Sequence, residues 1–246
     1  MLVRADKGPR LQPTREGIWR LGGWASRRIV AGVTGRDVDA SRLLETLGAS
    51  VSAVEAEQVH GASLAMIGRA GAMPPRPAPT AEAPQAVPGC DALLTEVPGV
   101  ALLVRTADCL PLFFADPGRG VVGMAHVGWR GLMGSLPARV VAAFRHGYQT
   151  EVRRLAVAIG PAIRACCYEV GPEFAARFGP FVQERGARRT CDLIGATLAQ
   201  LRQCGVATAQ VWDTGHCTAC GLERWSSLRR EGPATGRLVS FILWQP

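Results

Sequence analysis

The sequence predicts a single-domain α/β protein with mixed β-sheets and flanking helices. Two observations predict this class: short apolar runs of strand length recur from residue 28 to residue 243, and helical patterns interrupt them at irregular intervals. This irregular order, with several hairpin-like pairs, fits mixed sheets better than a regular barrel or a doubly wound sheet. The 246 residues are 48% hydrophobic and 20% charged, which suits a folded enzyme with a large core and argues against disorder.

The predicted strands are runs of mainly apolar residues bounded by Gly, Pro or Asp. They cover residues 28–34, 52–60, 91–95, 100–106, 110–115, 120–126, 154–159, 206–212 and 237–243. The turn residues Pro98 and Gly99 separate one pair of strands, and the Asp-Pro-Gly run at 116–118 separates the next pair. Helical patterns cover residues 39–48, 132–146, 173–178 and 192–204; the first begins with polar residues, and the first and last end at a glycine.

Two segments carry no regular pattern. Residues 1–27 are basic and punctuated by Gly and Pro, so we expect a loose lead-in before a domain at 28–246. Residues 72–89 contain six prolines, which predicts an extended surface loop. Because candidate functional residues lie on both sides of this loop, we interpret it as an insertion within one domain and not as a linker.

Charge and targeting signals narrow the class of protein. Lys and Arg total 28 against 20 Asp and Glu, a net charge of +8 that favours anionic partners such as phosphate-bearing small molecules. The chain shows no basic stripe interleaved with aromatic residues, so nucleic acid is not an expected partner. No apolar segment has the length of a signal peptide or a membrane span, so we expect a cytoplasmic protein with no membrane association and mostly reduced cysteines.

Residues 100–134 place ionisable side chains in two apolar, strand-like runs, where an ionisable group needs a partner, a metal or a catalytic role. Cys109 follows the first run, His126 lies in the second, and His60 ends an earlier one. The three form an N/S/N ligand set that suits zinc or copper and leaves one coordination position open. The alternative is a Cys109–His126 nucleophile and base. Spacing alone leaves both hypotheses open.

Three arginines are candidates for binding phosphate or substrate. Arg130 lies between glycines that would let backbone N–H groups approach an anion, although a surface ion pair would explain it equally well. Arg229 and Arg230, the other two candidates, form a second basic cluster with the run Thr235-Gly236-Arg237; this cluster could bind phosphate or simply be solvated.

The other cysteines carry a weaker signal. Cys217 and Cys220 have C-x-x-C spacing, but no second such pair stands at the distance typical of a zinc site, so we expect loop cysteines. The adjacent Cys166 and Cys167 are interpreted as packed thiols.

Seven motifs in order resemble the bacterial YfiH/YlmD-type family, whose members are related to human laccase domain-containing protein 1 and are known as polyphenol oxidases or purine nucleoside phosphorylases. They are QVHG at 58–61, DALLT at 91–95, TADCLP at 106–111, HVGWRG at 126–131, IGP at 159–161, YEVG at 168–171 and CT at 217–218. The resemblance covers residues 28–240.

The resemblance implies an α/β fold and a catalytic zinc, or copper, held by His60, Cys109 and His126. It implies a transferase activity, the phosphorolysis of adenosine, inosine and S-methyl-5'-thioadenosine to a base and ribose 1-phosphate, with hydrolytic deamination of adenosine as a side activity. The alternatives are a laccase-like copper polyphenol oxidase, a Cys–His hydrolase that edits peptidoglycan precursors, and a non-catalytic metal-binding module. The laccase hypothesis is weaker, because four histidines cannot build several imidazole-rich copper sites. We expect a monomer or homodimer.

This chain departs from the family pattern in three places. Residues 37–41 replace a longer family segment, one residue is added in WSSLRR at 225–230, and the Pro-rich loop is unusually long. A changed substrate range, or reduced activity with the metal site intact, would follow from these departures.

Overall fold

Two facing β-sheets form the centre of the molecule in the computed structural model, which describes residues 9–68, 83–186 and 188–245. The first sheet has strand order β1-β2-β3-β15-β8-β4-β6. Its strands are β1 (Arg10–Pro13), β2 (Ile18–Gly22), β3 (Ile29–Thr34), β4 (Ser52–Ala56), β6 (Gln85–Val87), β8 (Val100–Thr106) and β15 (Leu238–Trp244). Strands β4, β6 and β8 pair in parallel and the other neighbours pair antiparallel, so the sheet is mixed.

The second sheet has strand order β14-β11-β9-β10-β7-β5. Its strands are β5 (Leu64–Ile67), β7 (Ala92–Thr95), β9 (Leu110–Asp116), β10 (Val121–Val127), β11 (Ala156–Ile159) and β14 (Val211–Asp213). This sheet is also mixed, because β5 runs parallel to β7 and β11 runs parallel to β14. A separate hairpin joins β12 (Val182–Arg185) to β13 (Arg188–Cys191).

The helices cover the outer faces of the two sheets. Their bounds are α1 (Ala40–Leu47), α2 (Trp129–Met133), α3 (Leu136–Gly147), α4 (Glu173–Phe178), α5 (Leu193–Gln203) and α6 (Leu228–Glu231). Helix α1 packs on the first sheet, while α3 and α5 pack on the second. Every residue of β9 and β10 is buried, because one face meets the other sheet and the opposite face meets helices. The predicted single α/β domain with mixed sheets and flanking helices is confirmed.

Side-chain caps explain where two of the predicted helices begin. The Asp39 carboxylate accepts a hydrogen bond from the Arg42 N–H (2.9 Å) at the start of α1, and Asp192 does the same for the Gly195 N–H (2.9 Å) at α5. Among the described helices, none is both long and apolar enough to cross a membrane.

Several local predictions are corrected. The expected loose lead-in over residues 1–27 is wrong for residues 10–22, where β1 and β2 extend the first sheet by pairing onto β3. Within the expected loop at 72–89, Gln85–Val87 pairs with β4; residues 72–82 lie outside the described part of the chain. The strands around Pro98 and Gly99 do not pair, because β7 and β8 belong to different sheets. A reversing turn therefore connects the two layers here.

Two further predicted elements are divided in the structure. The helix expected over 132–146 is split into α2 and α3 at Ser135, whose φ of 58° interrupts the helical backbone. The strand expected over 206–212 begins as a short 3-10 turn, Thr208–Gln210, so β14 starts only at Val211. The sequence analysis also missed β5, β12, β13 and α6, which are all four residues long.

Candidate metal centre

The three predicted ligands meet at one end of the facing sheets. His60 lies in the turn after β4, Cys109 in the turn between β8 and β9, and His126 within β10. One ligand atom from each residue lies within 4.8 Å of the other two. The two imidazole rings have centroids 4.8 Å apart and stand nearly perpendicular, at 89°. Side chains far apart in sequence therefore form one N/S/N cluster.

Asp91, at the start of β7, is the buried acceptor behind this cluster. One of its carboxylate oxygens lies 2.8 Å from Nδ1 of His126 and accepts the backbone N–H of His60 at 3.0 Å. The other accepts the N–H of Gly61 at 2.7 Å. A carboxylate bonded to Nδ1 leaves Nε2 as the ring nitrogen free to bind a metal, the arrangement that commonly orients histidine ligands.

His60 depends on an unusual backbone conformation. Its φ is 57° and that of Gln58 is 64°, both in the left-handed region that non-glycine residues rarely adopt. The Gln58 amide holds this turn by donating to the Arg105 carbonyl (2.6 Å) and accepting the Arg105 N–H (2.7 Å). The strand expected over residues 52–60 thus ends at Ala56, and the ligand lies on the turn that follows.

The electrostatics of the metal-free cluster favour an ionised sulfur. Burial raises the pKa of Cys109, but hydrogen bonds from His126 and His60 outweigh it and bring the pKa down to about 7. Burial lowers the pKa of His126, but its hydrogen bonds to Asp91 and Cys109 outweigh it and raise the pKa to about 9. In a thiolate–imidazolium pair, the imidazolium can lose its proton when a metal binds to the site. Alternatively, the thiolate can act as a nucleophile.

Asp108 has a positioning role next to Cys109. Its φ is 97°, and the side chain is largely buried. One carboxylate oxygen accepts the hydroxyls of Thr218 (2.6 Å) and Ser227 (2.7 Å), and the other accepts the Arg229 N–H (2.7 Å). Both oxygens are therefore satisfied by the loop that precedes α6 and by the first turn of that helix, which hold the Asp108–Cys109 turn in place.

A cavity of about 470 Å³ opens onto the cluster and is within the size range of small-molecule sites. Its charged lining residues, other than the histidines, are Glu55, Glu57, Arg105 and Arg237. Arg105 is paired with Glu55, with 3.0 Å between its guanidinium and the carboxylate. Arg237 is exposed, and its guanidinium donates to the nearby carbonyls of Thr235 and Gly236. It is therefore the cationic group in this cavity that is most available to an anion.

The three arginines predicted from sequence do not line this cavity. Arg130 is exposed on α2, with its guanidinium 4.5 Å from the Trp129 ring centroid. Arg229 lies 5.1 Å from the ring centroid of Tyr168 and donates to a backbone carbonyl at 2.5 Å, while Arg230 is exposed on α6. Their role in binding phosphate or substrate stays a prediction.

Sequence reasoning missed Asp91 and Arg105, and it noted Arg237 only as part of the basic cluster with Arg229 and Arg230. For Asp91 a signal was present, since an acidic residue opens the otherwise apolar DALLT run at 91–95. Arg105 carried no local signal, and the basic cluster did not single out Arg237, because their common cavity is formed by β8 and the segment before β15 only after the first sheet assembles.

The structure also corrects the separate treatment of the two cysteine pairs. Cys166, Cys167, Cys217 and Cys220 place their sulfur atoms within 4.8 Å of one another. The second cysteine pair, which the C-x-x-C spacing did not reveal, is therefore the adjacent pair Cys166 and Cys167, about fifty residues before Cys217. Both clusters consist of metal-ligand types, and their donors suit both zinc and copper.

Comparisons with known proteins match most of the chain. The model of the family described as multi-copper polyphenol oxidoreductase laccase matches residues 37–245. The purine nucleoside phosphorylase YlmD of Geobacillus stearothermophilus is 33% identical over 195 residues, covering 76% of this chain and 70% of that protein. A purine nucleoside phosphorylase of Deinococcus radiodurans is 41% identical over 158 residues, covering 62% of this chain and 60% of that protein.

Two further comparisons concern activity and fold. Adenosine deaminase RL5, from an unknown prokaryotic organism, is 35% identical over 167 residues, covering 64% of this chain and 63% of that protein. The alignments with this protein and with the Deinococcus protein thus span less than two thirds of those relatives. The crystal structure of YlmD from Geobacillus stearothermophilus superposes with a TM-score of 0.81 at 26% identity, covering 97% of this chain and 100% of that one.

Proposed function

Because this chain belongs to the multi-copper polyphenol oxidoreductase laccase family, and relatives are named purine nucleoside phosphorylase and adenosine deaminase, we propose that it is a zinc-dependent purine nucleoside phosphorylase. Its substrates would be inorganic phosphate with adenosine, inosine or S-methyl-5'-thioadenosine, and adenosine deamination would be a side activity. The observation that carries this proposal is the cluster of His60, Cys109 and His126 at a cavity that also contains Arg237.

The residues of the cluster fit a metal ion. Two imidazole nitrogens and a thiolate suit zinc, and three protein ligands leave a position for substrate or water. Gly128 leaves space beside the sulfur, since a Cβ there would stand 3.2 Å from the Cys109 Sγ. Zinc bound here would supply Lewis-acid chemistry, polarising an oxygen of phosphate or lowering the pKa of a water molecule.

The protein's own groups then have separate roles. Asp91 keeps His126 oriented, and Asp108 holds the turn that presents Cys109. In phosphorolysis a phosphate oxygen forms a bond to C1′ of the ribose while the bond from C1′ to the purine nitrogen breaks, and the purine leaves with the electron pair and takes up a proton. The guanidinium of Arg237 would bind and orient the phosphate dianion at the cavity.

The distribution of histidines supports this activity over copper-dependent polyphenol oxidation. Oxidation by several copper ions needs several imidazole-rich sites. His146 is exposed on α3, and His216 lies between Trp19 and Trp225, with ring centroids 6.4 and 5.7 Å away. Only His60 and His126 share a cluster among the four histidines, all of which the structure describes.

A Cys–His hydrolase is the second candidate, and the lowered pKa of Cys109 beside His126 favours it. Metal content separates the two hypotheses, because a zinc ion would occupy the sulfur lone pairs. If a metal-free preparation is active and iodoacetamide then alkylates Cys109 stoichiometrically, the hydrolase hypothesis is supported. Purine binding without turnover would instead indicate a non-catalytic module.

We expect the purified, zinc-loaded protein to release hypoxanthine from inosine only when inorganic phosphate is present. Chelation of the metal should abolish the release, and added zinc should restore it. Adenosine should yield inosine without phosphate if the deaminase activity is present. Chromatographic separation of the products measures both reactions, and a metal-loaded protein without phosphate-dependent release would overturn the phosphorylase proposal.

Arg237→Ala should raise the KM for phosphate by about tenfold, because a charge-assisted contact to phosphate contributes on the order of 1.5 kcal/mol. Steady-state kinetics with phosphate as the varied substrate measures this change. Arg139→Ala is a matched control, since Arg139 is exposed on α3 and donates to the Gly134 carbonyl away from the cavity. A higher KM in Arg130→Ala or Arg229→Ala, with none in Arg237→Ala, would assign phosphate binding to the arginines predicted from sequence.

A further inference from the structure

Four thiols form a second cluster outside the proposed catalytic site. Cys166 and Cys167 lie in the segment between β11 and α4, and Cys217 and Cys220 lie between β14 and α6. The sulfur of Cys220 is 3.3 Å from that of Cys167 and 3.7 Å from that of Cys166. All four sulfurs lie within 4.8 Å of one another. None of these four residues belongs to the cluster at His60.

The spacing of the sulfurs fits a shared metal ion better than a disulfide. Zinc–sulfur bonds are about 2.3 Å, so neighbouring sulfurs of a tetrahedral zinc site are about 3.8 Å apart. A disulfide requires about 2.05 Å between its sulfurs. The separations of the Cys220 sulfur from those of Cys167 and Cys166, 3.3 and 3.7 Å, are close to the edge of the tetrahedron and well beyond a covalent bond.

Backbone contacts hold the two segments in register around the cluster. The N–H of Ala162 donates to the His216 carbonyl at 3.2 Å, and the N–H of Thr218 donates to the Ala162 carbonyl at 3.1 Å. These two bonds flank Cys217 and form a short parallel bridge. This bridge ties the chain at Cys217 to the segment that leads to Cys166 and Cys167.

We propose that Cys166, Cys167, Cys217 and Cys220 bind a structural zinc ion, separate from the cluster at His60. Four protein ligands leave no open position, which is the arrangement of structural and not catalytic zinc. This inference does not depend on the proposed function.

The second zinc site is connected to the first through Thr218. That residue follows Cys217 directly, and its hydroxyl donates to Asp108, the neighbour of Cys109. Zinc bound by the four cysteines would therefore secure the loop that holds the Asp108–Cys109 turn. Its loss should loosen the catalytic cluster without removing any of its ligands.

Metal counting by mass spectrometry tests the inference. Protein reduced, loaded with zinc and desalted should contain about two zinc ions per chain. Cys217→Ser with Cys220→Ser should contain about one, His60→Ala with Cys109→Ala about one, and the combination of all four changes close to none. Cys204→Ser, a half-buried cysteine outside both clusters, is the matched control and should keep the full content.

A spectroscopic readout identifies the ligands directly. Cobalt(II) added to the His60→Ala, Cys109→Ala protein should produce intense sulfur-to-cobalt charge-transfer absorption, and Cys217→Ser should reduce it strongly. Should the serine variants fail to fold, alkylation of the exposed Cys166 and Cys220 in the reduced His60→Ala, Cys109→Ala protein should block uptake of its one remaining ion. An unchanged zinc content after either treatment would overturn the proposal. Iron in the native cluster would also overturn it, as would a disulfide whose reduction does not let a second zinc ion bind.

Discussion

Cys109→Ala is expected to remove the metal ion from the cluster at His60 and to lower phosphorolysis by on the order of 10³-fold or more. The sulfur is one of the three proposed protein ligands, and the change also removes the hydrogen-bond partner of both His126 and His60. Zinc content and the rate of hypoxanthine release should fall together. The remaining zinc, held by the four-cysteine cluster, should be unaffected.

Cys204→Ser is the control for this variant, because Cys204 is half-buried at the end of α5 and belongs to neither cluster. Full zinc content in the Cys109→Ala protein would exclude Cys109 as a ligand. Loss of activity with full zinc content would instead favour the role of Cys109 as a nucleophile.

Asp91→Ala is expected to destabilise the fold by about 3 kcal/mol, because it leaves three donors without their acceptor. These donors are the His126 ring N–H and the backbone N–H groups of His60 and Gly61. For a protein of this length the melting temperature should fall by about 6–12 °C. Affinity for the metal should fall by about 10–100-fold, because His126 loses the group that orients it.

Thermal unfolding of the chelated protein and zinc titration measure the two effects separately. Asp37→Ala is a suitable control, since Asp37 is exposed and its ion pair with Arg36 is long, at 3.9 Å. Its melting temperature should change by less than about 2 °C. An Asp91→Ala protein with normal stability and normal zinc affinity would contradict the role assigned to this carboxylate.

Long apolar strands were predictable because a strand buried on both faces appears in the sequence as a nearly continuous run of apolar residues. The run VALLVRT predicted β8 with correct bounds, and β9 and β10 were found within one residue at each end. Short strands of mixed polarity such as β1 and β12 were missed, because their stability comes from pairing with a neighbour, which local patterning does not record.

The candidate ligands were predictable for a similar reason. An ionisable residue inside an apolar run is conspicuous, which drew attention to Cys109 and His126. Their partners were not conspicuous. Asp91 becomes an acceptor for His126 only because β7 and β10 are neighbours in the second sheet, and Arg237 reaches the cavity only through the pairing of β15 with β8.

By itself, the sequence determined the fold class, the family resemblance and the three residues that converge on the candidate metal centre, because each depends on side-chain type and local pattern. Only the tertiary structure decided which groups support that centre and which arginine faces its cavity. It also brought the vicinal Cys166 and Cys167 against Cys217 and Cys220, which the sequence had led us to treat separately. Such contacts arise when distant segments are paired by the sheets, and spacing along the chain carries no information about that pairing.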